Sequence, residues 1–131
     1  MQKQTFNKKE RLSGEKIITN LFSKGSKFFV YPFKVVWTSS KTDVFPSARL
    51  LISVPKSNIK KAVDRNLVKR RIREAFRKNK EPLLTSFSNT NTQCIFAMVY
   101  VGKKIMKYGE LEQKIIISIQ RLIDDYEKNS R

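Results

Sequence analysis

A chain of 131 residues, 40% of them hydrophobic, is the size of one domain and can build one core without disulfide staples. Its 28 Lys and Arg against 11 Asp and Glu leave a net charge of +17, which points to a polyanionic partner, most often nucleic acid. The lack of histidine and the single cysteine, Cys94, exclude a Ser-His-Asp triad, a Cys-His dyad, an imidazole metal site, a zinc cluster and an internal disulfide.

Residues 1–9 read as a basic N-terminal extension with no apolar stretch behind it. A short helix opens at Ser13, a candidate N-cap, with Glu15 in its first turn. Ile17, Ile18, Leu21 and Phe22 share one side of it, and Gly25 is placed to end it. Phe28 to Ser39 is rich in aromatic and β-branched residues and reads as strand, broken by Pro32 into a short and a longer piece. Phe33, Val35 and Trp37 fall on one face, and Lys34, Val36 and Thr38 on the other. Ser39 to Pro46 reads as a turn region. Ala48 to Val54 alternates as a strand and Pro55 closes it.

From about Asn58 to Lys80 the pattern is helical, and 82–92 is a polar stretch expected to be a loop. Cys94 to Val101 is an unbroken apolar run, suited to a strand buried on both faces. A last helix is expected from about Tyr108 to Tyr126, and 127–131 as a flexible tail. The expectation is one α+β domain, a small four-stranded sheet with three helices on one side of it.

The functional signal lies in AVDRNLVKRRIREAFR, residues 62–77. On a helical wheel of about 100° per residue, with Arg65 at zero, the residues Lys69, Arg73, Asn66, Arg77 and Arg70 fall between about 40° and 140°. Val68, Ile72, Ala75 and Phe76 occupy the neighbouring arc, which is the face expected against the sheet. The basic arc contains no acid, since Asp64 and Glu74 point elsewhere. Solvated helix faces usually mix signs at i,i+4, and like charges there are destabilising. A single-signed arc dominated by arginine is suited to phosphate.

The aromatics Phe22, Phe28, Phe29, Tyr31, Phe33 and Trp37 crowd into sixteen residues with Lys24, Lys27 and Lys34 among them. Rings beside cations suit single-stranded nucleic acid, although part of this set must be core.

The 62–77 stretch resembles the signature helix of the protein subunit of bacterial ribonuclease P, an Arg-Asn-Arg motif followed by Lys-Arg and a further Arg. FNKKERL at 6–12, FSKG at 22–25 and ISVPK at 52–56 resemble further segments of that family, so the resemblance covers about residues 6 to 126. Leu67 stands where the motif has its second arginine, Ser57 replaces a lysine, Ile18 and Phe22 stand for an aromatic pair, and Val36 stands where some relatives have an aromatic.

The resemblance implies a left-handed βαβ crossover, an exception to the usual hand. It also implies a protein cofactor of a ribonucleoprotein that hydrolytically removes the 5′ leader of precursor tRNA. The catalytic RNA would carry the chemistry, with Mg²⁺ held mainly by RNA and no catalytic or metal-ligating residue in the protein. Arg65, Asn66, Lys69, Arg70, Arg73 and Arg77 would meet the catalytic RNA. Ile18, Phe22, Lys34, Val36 and Lys56 would line the leader cleft. The partners would be ribonuclease P RNA and precursor tRNA, in the cytoplasm, with neither membrane nor DNA involved. A non-catalytic RNA-binding protein of ribosomal type is the alternative. A DNA-reading helix-turn-helix is disfavoured because Pro55 closes a strand just before the basic helix. A protein-only nuclease would need clustered carboxylates, and Asp124, Asp125 and Glu127 look like an exposed helix end.

Overall fold

Proline, glycine and the hydrophobic periods divide the chain into eight elements in the computed structural model, which describes residues 10–12, 14–41 and 46–129. They are α1 (Glu15–Lys24), β1 (Ser26–Val30), β2 (Phe33–Lys41), β3 (Ala48–Ser53), α2 (Ala62–Asn79), α3 (Glu81–Ser88), β4 (Thr92–Tyr100) and α4 (Tyr108–Asn129). The sheet order is β1-β2-β4-β3. β1 and β2 form a hairpin around Tyr31 and Pro32, where the sequence places a break. β4 pairs antiparallel with β2 and parallel with β3, so β3 reaches β4 through a crossover containing α2 and α3. A central strand covered on both faces accounts for the unbroken apolar run from Cys94.

One sheet face carries Phe33, Val35, Trp37, Leu50, Phe96, Met98 and Tyr100 under α2, α3 and α4. The opposite face carries Val36 and Ala97, covered by Leu21 of α1 and Leu12, with Ile18, Phe22, Leu51 and Ile95 packed around them. Helices therefore lie on both faces, not one. The apolar side of α1 is what covers the second face, and the parity of Val36, Leu51 and Ala97 marks that face in the sequence.

The described residues form four helices rather than three. The polar stretch from residue 82 contains α3, with Glu81 in its first turn, Pro82 at its start, and Leu83 and Phe87 buried one turn apart. Its serines and threonines sit on the outside and obscure that spacing. The helix expected from Asn58 begins at Ala62, because residues 55–59 make a turn in which the amides of Asn58 and Ile59 donate to the Pro55 carbonyl. α4 continues to Asn129, so residues 127–129, expected as tail, are helical.

At the start of α1 the cap position is Gly14, whose φ of 105° suits glycine. Ser13 lies outside the described residues. Gly25 ends α1 as expected, its amide donating to Leu21 O, but its φ of −69° is ordinary extended backbone. Glycine is required there for space, because a Cβ would lie 2.5 Å from Leu21 O and 2.8 Å from Val36 Cγ1.

Candidate nucleic-acid interface

The two arcs of α2 separate as the wheel requires. Val68, Ile72, Ala75 and Phe76 are buried against the sheet, which fixes the rotation of the helix and turns the basic arc away from the core. Asn66 and Arg70 are exposed, and Arg65, Lys69 and Arg73 are half-buried. Arg65 is anchored at one end: its Nη1 donates to Ile59 O at 3.0 Å and Lys60 O at 2.7 Å. The guanidinium thereby closes the turn before α2 and retains further N–H groups for a ligand.

Arg73 points to the outer edge of β3. It shares a cavity of about 160 Å³ with Arg11, Leu12, Leu50, Leu51 and Ile52. Burial, and then the charge of Arg11, lowers the pKa of Arg73 from its ordinary value. Two guanidiniums thus face one recess that, among the described residues, is lined by no acid. Sequence reasoning missed Arg11 because 62 residues separate the pair. The segment is carried there by Leu12, whose amide donates to Leu50 O at 2.9 Å.

The arc is not free of acid at its end. Arg77 Nε donates to Glu74 Oε1 at 2.6 Å, and the two form an i,i+3 ion pair. The wheel sets Glu74 beyond the arc, but the long Arg77 side chain reaches across. Leu67, where the motif has arginine, lies beside Arg70, Arg71, Glu74 and Tyr108 around a shallow recess. Arg71 is outside the arc, donating to Met106 O at 2.8 Å.

A second basic cluster escaped the sequence reading. Lys60 and Lys61 before α2 meet Lys103 and Lys104 of the β4–α4 connection around a cavity of about 470 Å³, with Asp64 its only acidic lining residue among the described residues. Lys103 Nζ donates to Asn58 Oδ1 at 2.7 Å, and Asn58 Nδ2 donates to Tyr100 O at 3.1 Å, tying the two segments together. Paired lysines on distant loops gave the only sequence signal.

The residues expected to line a cleft divide between cover and surface. Val36 is fully buried under α1, so its side chain does not face solvent. The β-branched side chain fits tightly against Gly25. Ile18 and Phe22 are half-buried at the rim of this small core. Lys34 and Lys56 are exposed. Lys34 belongs to a row across the uncovered part of the sheet, Phe29–Lys34–Val99–Ser53, set by strand register. Phe29 is half-exposed in this row, whereas Phe28, Phe33 and Trp37 are core. Strand parity, applied to Phe28 and Phe29, distinguishes these roles.

For chemistry, the described residues include no group of three or more His, Cys, Asp or Glu placed to hold a metal ion. Cys94 is buried in the core, and burial pushes its thiol pKa well up, away from a reactive thiolate. The arrangement presents cationic surface suited to anions over α2, the β3 edge and the basic loops.

Known proteins resemble this chain in sequence and in fold. The family model described as Ribonuclease P matches residues 6–122. The ribonuclease P protein component of Porphyromonas gingivalis is 31% identical over 116 residues, covering 88% of this chain and 85% of that protein. That of Syntrophus aciditrophicus is 38% identical over 111 residues, covering 85% of each. The RNase P protein of Staphylococcus aureus has the same fold, with a TM-score of 0.67 at 22% identity over 87% of this chain and 97% of that one. The Thermotoga maritima protein gives 0.67 at 23% identity over 86% and 96%. With the family model spanning most of its length and relatives above 30% identity along most of theirs, the chain belongs to the ribonuclease P protein component family.

Proposed function

We propose that this chain is the protein cofactor of a ribonuclease P ribonucleoprotein, in which a catalytic RNA removes the 5′ leader of precursor tRNA by hydrolysis. One observation carries the reading: the cationic arc of α2 from Arg65 to Arg73 points away from a fully committed core face and joins Arg11 at the β3 edge. Asn66, Lys69, Arg70 and Arg73 bind phosphates of the catalytic RNA, with Arg65 as an anchored neighbour and Arg77 shared with Glu74. The half-buried Ile18 and Phe22, with Lys34 and Lys56, border the track of the leader. Val36 supports the track from beneath.

Mg²⁺ is held mainly by RNA and supplies the Lewis acid for hydrolysis. The chain's own side chains bind and position RNA. No described helix is long and apolar enough to cross a membrane, and we place the complex in the cytoplasm.

Reconstitution tests this. The purified, RNA-free protein is expected to cleave nothing by itself, and to lower the Mg²⁺ concentration at which the catalytic RNA of the same organism processes precursor tRNA. Metal-dependent cleavage by protein alone would contradict the division of labour. Failure to stimulate cleavage would return the chain to an RNA-binding protein of ribosomal type.

A further inference from the structure

Two aromatic side chains on the sheet take little part in its packing. Phe29, in β1, and Tyr31, in the turn to β2, each leave 54% of their surface in solvent. Their ring centroids are 6.3 Å apart with planes inclined at 58°. Isolated exposed apolar residues are ordinary. These two are adjacent, and β1 is an edge strand, where exposed apolar surface invites association.

Their surroundings are cationic. Phe29 is the cross-strand partner of Lys34, and Lys27 sits two residues back on the same face of β1. Both lysines are exposed. The sequence from Ser26 to Lys41 contains no Asp or Glu. Along β2, Lys34 lies two residues beyond the covered Val36, about 7 Å at the rise of a strand. The aromatic pair therefore begins where the cover of α1 ends.

We propose that Phe29 and Tyr31 form a base-stacking platform for single-stranded RNA, extending the leader track past α1 to the β1–β2 hairpin. The inference rests on the leader-binding reading above and adds a second, outer contact to it. A base lies on the exposed ring face, and the phosphates beside it pair with Lys27 and Lys34. Every base has a π face, so such a platform accepts leaders of any sequence. The exposed charges of Lys27 and Lys34 beside the rings favour RNA over an apolar protein partner.

The test uses holoenzyme reconstituted from the full chain and the catalytic RNA. Dissociation constants are measured for precursor tRNA with a long leader, for precursor tRNA with a leader cut back to the cleavage site's nearest nucleotides, and for mature tRNA. Phe29→Ala is expected to weaken the long-leader substrate by roughly five-fold or more and to leave the other two unchanged. Tyr31→Ala acts in the same direction, and Phe29→Trp retains binding.

Phe22→Ala serves as the control for the inner track and should weaken both leader-bearing substrates relative to mature tRNA. If the Phe29 and Tyr31 variants bind the long leader normally while Phe22→Ala still discriminates, the platform is wrong and the leader track stands. If Phe22→Ala discriminates nothing either, both readings fall. A loss of affinity for the catalytic RNA that is independent of leader length would also overturn the platform, by assigning it to the other RNA. Unchanged melting temperatures for both alanine variants separate these outcomes from misfolding.

Discussion

Replacing Glu10 with alanine should destabilise the fold by about 3–5 kcal/mol, the usual consequence of breaking a buried ion pair from one side. Lys80 Nζ lies 2.9 Å from each Glu10 carboxylate oxygen, and the two residues are only 5% and 3% exposed. Lys80 sits at the junction of α2 and α3, capping the end of one and the start of the other. The pair thus fastens the segment carrying Arg11 to the base of the basic helix. A Glu10→Leu, Lys80→Met double variant removes both charges together and should recover much of the lost stability. Urea denaturation of Glu10→Leu, Lys80→Met and the double variant measures the coupling. Additive losses in the double variant would show that the pair does not act as a unit.

Gly25→Ala should destabilise by about 2–3 kcal/mol, as expected for an added methyl that the surroundings cannot accommodate. Backbone dihedrals alone suggest the opposite sign, since alanine at an ordinary φ stabilises by restricting the unfolded chain. Packing decides the matter. Besides its contacts with Leu21 O and Val36 Cγ1, the new Cβ would sit 3.0 Å from Trp37 O. Two of the three obstructing atoms are backbone and cannot rotate away. Thermal unfolding of Gly25→Ala is the check, and an unchanged or raised melting temperature would contradict the close approach of α1 to β2.

Much of this was legible in residue periodicity. The core face of α2, the strand break at Pro32 and the two-sided burial of β4 follow from spacing alone, because the 3.6 and 2.0 periods report directly which side of an element meets a core. The less legible features depend on distance along the chain. Helices cover both faces because α1 packs on the parity set of Val36 and Ala97, a partnership no local pattern expresses. Polar residues on the exposed side hid α3. The wheel located the basic arc but not the reach of Arg77 to Glu74, since side-chain length is absent from a projection of Cα positions. Arg11, Lys103 and Lys104 joined the basic surface only through tertiary contacts. On β1 and β2, strand parity separated Phe29 from Phe28, whereas the burial of Val36 required the position of α1.

The basic arc of α2 is the centre of the account, and the salt dependence of binding to the catalytic RNA tests it most directly. Lys69→Ala, Arg70→Ala and Arg73→Ala, singly and together, are compared with the parent chain by plotting log K against log salt. Each lost phosphate contact should lower the slope by roughly 0.7–0.9, so the triple variant should lose roughly 2.1–2.7. Arg70→Ala should change folding stability by no more than about 0.5 kcal/mol, because an exposed charge contributes little. Affinity should fall in each variant. Unchanged affinity and unchanged slope in all of them would show that the arc is a solvated surface, and the assignment of α2 to the catalytic RNA would be wrong.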